Sequence, residues 1–304
     1  MSSSGSYKLF GALFLVAVLT WWTVLRATFW LACGGDAYTH ILMVLPVSVV
    51  LIALRFRDNV GHLSPSPRAG ATLLVLAALI GIIGLRWAGT DAASVVGIRW
   101  TIEMFALVIW WIGSFVLCFG TRMTRACAFP LIFLLWLVPI PEFALHYVIA
   151  SLQHSTAWLT REMFAAVGIP VTGSGTVVTV PGLSVEVAEE CSSIRSSLIL
   201  VVMATVMACL MVRSYWSRLL VIMIAIPLAV GKNALRVFTL EALGAYVNPA
   251  VLNSPLHHQG GVLFLLIAVA ALFGVVSLLR RLESRNAKPG TPANVSHLSM
   301  TARP

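Results

Sequence analysis

The sequence predicts an all-α polytopic membrane protein: about eight transmembrane helices, with an amphipathic helix and a small β-hairpin on the outer face. Three observations predict it. Of the 304 residues, 59% are hydrophobic and only 10% charged, and the mean hydropathy is +0.95. Soluble domains run near 45–50% apolar and about 25% charged. Apolar runs of spanning length recur along the chain, and basic residues gather in alternate loops between them. The net charge of +9 is therefore a topology signal. It points to the lipid bilayer as a partner and gives no reason to expect nucleic acid.

A spanning helix takes roughly 17–25 mostly apolar residues. The eight runs lie at about 9–26, 39–55, 69–87, 101–120, 126–141, 193–212, 218–238 and 260–279. No small-residue cleavage site follows "LFGALFLVAVLTWW", so the first run reads as a retained anchor. Between the fifth and sixth runs, "EFALHYVIASLQHSTAWLTREMFAAVGI" spaces Phe143, Val148, Leu152, Trp158, Leu159 and Phe164 near a helical period. Polar residues between them make it an amphipathic helix over 143–167, lying in the outer interface. The valine- and threonine-rich runs of "GTVVTVPGLSVEV" flank Pro181-Gly182, which suits a type II turn and predicts a hairpin over 173–187. Residues 1–285 thus form one integral membrane domain. The polar "SRNAKPGTPANVSHLSMTARP" end, residues 286–304, reads as a disordered cytoplasmic tail.

Lys and Arg are retained on the cytoplasmic side of membrane helices. With the N-terminus inside, Lys8, Arg55, Arg57, Arg68, Arg122, Arg125, Arg213, Arg218, Arg280, Arg281, Arg285, Lys288 and Arg303 all fall inside. These are thirteen of the 20 basic residues. The asymmetry supports both termini in the cytoplasm and puts Cys191 on the outer face. The five cysteines (Cys33, Cys118, Cys127, Cys191, Cys209) hold no C-x-x-C pair, so neither a disulfide framework nor a zinc site is indicated. No metal and no cofactor are assigned.

Three polar elements then converge on the outer side. Cys191 enters the sixth helix in "VAEECSSIRSS"; Lys232, Asn233 and Arg236 sit near the outer end of the seventh; His257 and His258 precede the eighth. Ionisable groups at apolar helix ends are functional candidates. A thiol at a helix N-terminus feels the positive end of the macrodipole, which favours the thiolate. An imidazole can take its proton, and an arginine can hold an oxyanion. Glu189 and Glu190 oppose the thiolate unless they turn away or pair with Arg195. Each residue alone also has an ordinary reading: Cys191 as a structural thiol or the partner of Cys33 in a disulfide, Arg236 snorkelling to the interface, and the histidines as loop residues.

At these residues the chain resembles the exosortase and archaeosortase family of multi-pass transpeptidases. "EECSSIRSS" supplies the cysteine, "NALRVF" the arginine and "LHHQGG" the histidine. "YTHILMVLPVSVVLIAL", "FPLIFLLWLVPIPE" and "GIPVTGSGTVVTVPGLSVEVAEEC" extend the resemblance over roughly residues 35–280. Ser193 stands where the family usually has glycine. The resemblance implies a cysteine transpeptidase or protease acting on exported proteins that carry a C-terminal sorting signal of the PEP-CTERM kind: a short motif, a membrane helix and a basic tail. It implies Cys191 as nucleophile, Arg236 as oxyanion stabiliser and His257 as general base, four residues before Gly261, with His258 as the alternative. An amine acceptor would resolve the thioester. The setting implied is the plasma (inner) membrane, with the site on the periplasmic or extracellular face.

A transporter or export-associated scaffold is the alternative, with Lys232, Arg236 and Glu241 lining an anion pathway. No internal repeat of the kind common in transporters relates the two halves. H-E-x-x-H and G-x-S-x-G, the marks of two other protease classes, do not occur.

Overall fold

The computed structural model describes residues 3–34, 36–59, 64–86, 96–187, 194–248 and 261–286. Ten α-helices and one two-stranded sheet are formed by these residues. They are α1 (Ser3–Thr20), α2 (Trp22–Gly34), α3 (Ile41–Asn59), α4 (Pro67–Arg86), α5 (Ile98–Ala126), α6 (Ala128–Phe133), α7 (Glu142–Ala166), β1 (Val177–Val180), β2 (Leu183–Glu186), α8 (Ile194–Met211), α9 (Tyr215–Tyr246) and α10 (Gly261–Asn286).

Five of these helices, α4, α5, α8, α9 and α10, are long and apolar enough to cross a membrane, and up to seven spans result if each of two bent pairs counts as one. The expected eight are not reached among the described residues, for three local reasons. The first run breaks at Trp21, where α1 and α2 meet at 75°. The backbone bonds from Trp21 N–H to the Ala17 carbonyl (3.0 Å) and from Leu25 N–H to the Trp21 carbonyl (2.9 Å) survive the bend. The Trp21 ring lodges against Gly81 of α4, where a Cβ would come within 3.1 Å of it. The second run is helical as α3, but Arg55, Arg57 and Asp58 lie within its 19 residues. The fifth run is not one helix. After α6 a 3-10 turn, Leu134–Leu137, gives way to extended backbone at Val138, and α7 restarts after Pro141 at 93° to the preceding pair. Pro139 and Pro141 account for this break, since proline disfavours helix in the residue before it and lacks the N–H that would continue the ladder.

That proline joint is braced from two sides. Tyr38 donates its hydroxyl to the Ile140 carbonyl at 2.8 Å, and Thr101 donates to the Pro139 carbonyl at 3.0 Å. Burial, with the Glu142 carboxylate adding to it, pushes the Tyr38 phenol up to about 12, so it stays protonated as a donor at any physiological pH.

The α4–α5 hairpin packs backbone to backbone. A Cβ at Gly70 would fall 2.3 Å from Leu117 Cβ, and one at Gly113 would fall 2.9 Å from Leu73 Cβ. Small residues permit this close approach where lipid offers no hydrophobic drive for helices to associate. At Gly120, φ is +84° and a Cβ would collide with the Ser64 carbonyl oxygen. Only glycine accommodates both demands.

The hairpin forms as the Val-Thr pattern predicts: β1 and β2 pair antiparallel, Val180 opposite Leu183. Gly182 takes φ +83°, as the second central residue of a type II turn requires. The structure corrects the buried face of α7. Leu145, Ile149, Thr156, Ala157, Thr160 and Phe164 are buried, whereas Phe143 and Trp158 are exposed. The reason is tertiary: α7 lies against α9 and the hairpin. Small and hydroxylated side chains fit that contact together with the Phe164 ring, while the rings of Phe143 and Trp158 are exposed.

Candidate active site

Helices α8, α9 and α10 form an antiparallel unit whose two ends differ. Between the ends the core is narrow: Leu200, Ala204 and Ala208 of α8, Val221, Ala225 and Ala229 of α9, and Ala268, Leu272 and Val276 of α10. At one end the Glu283 carboxylate accepts the backbone N–H groups of Arg213 and Ser214, each at 2.9 Å, so the end of α10 meets the α8–α9 turn. Arg218 donates to the Val212 carbonyl at 2.9 Å at this same end. Basic residues crowd here, in agreement with the loop charges.

The opposite end carries a buried polar cluster. Lys232 of α9 is hydrogen-bonded to the Ser196 hydroxyl on the first turn of α8. It also donates to Asn233 Oδ1 at 2.7 Å. The Asn233 amide reaches the Ser197 hydroxyl at 3.5 Å. Lys232 is 6% exposed, Asn233 0% and Arg236 7%. One turn beyond Lys232, the Arg236 guanidinium faces the first residue of α10, where a Cβ on Gly261 would stand 3.7 Å from Nη1.

This geometry corrects one expectation and refines another. Lys232 and Arg236 are not at the end of their helix: α9 runs on for ten residues to Tyr246, roughly 15 Å further at 1.5 Å per residue. The "TLEALGAY" continuation is helix-compatible, and its Glu241 interrupts nothing. Arg236 is also buried rather than snorkelling, with the start of α10 against its guanidinium. Cys191, His257 and His258 lie outside the described residues, as do Glu189 and Glu190. What is described are their neighbours in sequence. Ile194 opens α8 three residues after Cys191, and Gly261 opens α10 four residues after His257 and three after His258. Cys33 is exposed on α2.

The α7 side completes the surroundings. Thr160 donates to the Thr156 carbonyl at 2.8 Å and approaches the Ala234 carbonyl at 3.5 Å. Phe164 and Phe238 meet with ring centroids 4.6 Å apart. Arg161 Nη1 donates to the Val177 and Gly175 carbonyls (2.9 and 3.2 Å), and the Gln153 amide donates to the Val187 carbonyl (3.1 Å). The hairpin is thereby tied to α7, and its end, Val187, leads directly into the segment that holds Cys191.

Ser196, Ser197 and Thr160 are members of this cluster that sequence reasoning did not select. A signal existed for the serines, two adjacent hydroxyls at the entry to an otherwise apolar helix. Glu241 enters as a different kind of group from the pathway acid considered above. It is 1% exposed, and neither carboxylate oxygen has a hydrogen-bond partner among the described residues. No group of three or more His, Cys, Asp or Glu suited to a metal occurs among the described residues.

The fold and its buried cationic cluster define a multi-pass helical membrane protein with a polar centre at one end of its last three helices. Residues 21–274 match the family model for transmembrane exosortases (Exosortase_EpsH). The chain belongs to that family. No curated protein matches it, and no solved structure matches it.

Proposed function

We propose that this exosortase is a membrane-embedded cysteine transpeptidase that cleaves a C-terminal sorting signal from exported proteins at the outer face of the plasma membrane. One observation carries the reading. The buried Arg236 guanidinium lies against Gly261, a few residues after His257 and His258. One turn away, Lys232 and Asn233 bond the first turn of α8, which begins three residues after Cys191. The described helix starts that follow Cys191 and the two histidines in sequence therefore lie beside buried Lys232 and Arg236, which supports the reading. The basic end, with Arg213, Arg218, Arg280, Arg281 and Arg285, is opposite and belongs in the cytoplasm.

In the proposed reaction the Cys191 thiolate attacks the carbonyl carbon of the scissile peptide bond, forming the C–S bond. The electron pair moves to the carbonyl oxygen, and the Arg236 guanidinium stabilises that oxyanion. His257, having taken the thiol proton, returns it to the leaving amine as the C–N bond breaks. An amine acceptor then attacks the thioester, a new amide forms and the thiolate is released; water in its place gives hydrolysis. The substrate is an exported protein ending in a short motif, a membrane helix and a basic tail. Its helix would dock beside α8–α10, which suits a site within the span of α9.

The test is co-expression with such a tailed substrate, followed by intact mass of the substrate's C-terminus. Wild type is expected to give a shortened product whose extra mass identifies the acceptor. Cys191→Ala should give none, and Arg236→Ala should lose about 100- to 1,000-fold in rate. His257→Ala should be far more damaging than His258→Ala. Full processing by inserted Cys191→Ala would sink the mechanism.

A further inference from the structure

Away from the candidate active site, the bend between α1 and α2 leaves a cleft of about 260 Å³ against α4 and α5. The rings of Trp21 and Trp110 line it, with Ala78, Gly81, Ile82 and Leu85 of α4. The sequence opens this space in two ways. Trp21 turns α2 away from α1 by 75°. Beside the bend, Ala78 and Gly81 bring almost no side chain, and a Cβ on Gly81 would already stand 3.1 Å from the Trp21 ring.

The polar groups at the cleft are already engaged. Glu103, its charged member, is buried and paired with Arg99 at 2.6 Å. Trp110 donates its indole N–H to the Leu13 carbonyl at 3.1 Å. Water would find few partners here, and apolar cavities stay dry. The surroundings are hydrocarbon instead: α4 and α5 are both long and apolar enough to cross a membrane. Ile82 and Leu85 are 52% and 58% exposed, so the cleft opens on the lipid-facing side of α4.

Size and charge select the occupant. A helix 10–12 Å across fills more than about 400 Å³ in each 5.4 Å turn, so not one turn would fit. A single acyl chain is narrow enough. At the end of the cleft, Arg86 follows Leu85 as the last residue of α4. It is exposed and belongs to no ion pair among the described residues. On the proposed orientation this is the outer end, where the loop-charge bias does not place an arginine. A guanidinium there suits a phosphate, which it can hold through two parallel hydrogen bonds.

We propose that this cleft is a binding site for one phospholipid: an acyl chain fills the hollow beside Trp21, and the lipid phosphate meets Arg86. The chain supplies the dispersion contacts that an empty hollow would forfeit, and so completes the packing of the bend. The site uses none of the residues of the proposed reaction and stands independently of it.

The experiment is native mass spectrometry of the full-length protein in mild detergent, titrated with phosphatidylglycerol or with diacylglycerol carrying the same chains. Wild type is expected to retain one phosphatidylglycerol, and to hold it more tightly than diacylglycerol, which has no phosphate. Ala78→Phe fills the hollow and should abolish the retained lipid while Tm holds or rises. Arg86→Gln should weaken phosphatidylglycerol about fivefold and leave diacylglycerol unchanged. Arg280→Gln, on α10, should alter neither. Equal retention by wild type, Ala78→Phe and Arg86→Gln would mean boundary lipid only and would overturn the proposal. A dimer that Ala78→Phe separates would seat a second copy of the chain in the cleft and overturn it likewise. Should Ala78→Phe fail to fold, Arg86→Gln decides by itself, since Arg86 is an exposed side chain: a fivefold loss supports the site and an unchanged affinity removes it.

Discussion

The N-terminal helices and the last three are both apolar bundles, but they are held together differently. In the first, rings from α1, α3 and α5 interlock: Phe10, Phe56 and Phe115 each pack on Phe119 at centroid distances of 5.2, 5.0 and 4.8 Å. Two of its indoles are bonded in place, Trp100 Nε1 to Thr28 Oγ1 (2.8 Å) and Trp110 Nε1 to the Leu13 carbonyl (3.1 Å). In the second, alanines let the helices approach, and toward one end the contact turns into buried Lys232, Asn233, Arg236 and Glu241. In the region packed by large rings the buried Glu103 carboxylate is paired with Arg99. A region packed by alanine has room at its end for charged groups, at a cost in stability that the rest of the fold offsets. On the proposed reading the N-terminal region is the scaffold and the last three helices the working part.

The sharpest way to break this comparison is at the glycine contact. Gly70→Leu places a side chain where a Cβ alone would be 2.6 Å from the Leu117 backbone nitrogen. A loss of about 3 kcal/mol or more is expected, seen as a collapse in the monodisperse fraction after detergent extraction. An unchanged elution profile and Tm would mean that α4 and α5 do not pack this closely. At the next scale, Arg161→Ala removes the guanidinium from two hairpin carbonyls. About 1.5–3 kcal/mol of local stability should be lost, with faster hydrogen exchange over 177–186 and a nearly constant global Tm. Uniform protection would show that the hairpin stands without α7. The smallest effect belongs to Trp100→Phe, which deletes one hydrogen bond to Thr28. About 1 kcal/mol is expected, lowering Tm by a few degrees while the pH profile of processing stays fixed. Movement of that profile would contradict the division between scaffold and site.

Much of this was legible along the chain. Hydropathy marked α4, α5, α8, α9 and α10, because a long apolar run in lipid has to satisfy its backbone internally and does so as helix. Pro181-Gly182 announced its turn, because proline sets one φ and glycine permits the positive one. "NALRVF" gave Arg236 away, because an arginine in an apolar helix is rare. The break at Trp21 was not legible: no proline or glycine marks it, and the ring's lodging beside Gly81 is a contact between residues sixty positions apart. Nor was the buried face of α7, since periodicity finds the most apolar stripe while burial is decided by what packs against it. Phe143 and Trp158 point away for that reason, and Thr156 and Thr160 point in.

By itself, then, the sequence determined the membrane class, the helix-forming stretches and the hairpin turn, because each follows from local hydropathy or local backbone geometry. Only the tertiary structure decided that Lys232 and Asn233 bond the α8 serines and that Arg236 stands against the start of α10. Those contacts depend on how three helices pack, and packing joins residues whose separation along the chain carries no local signal.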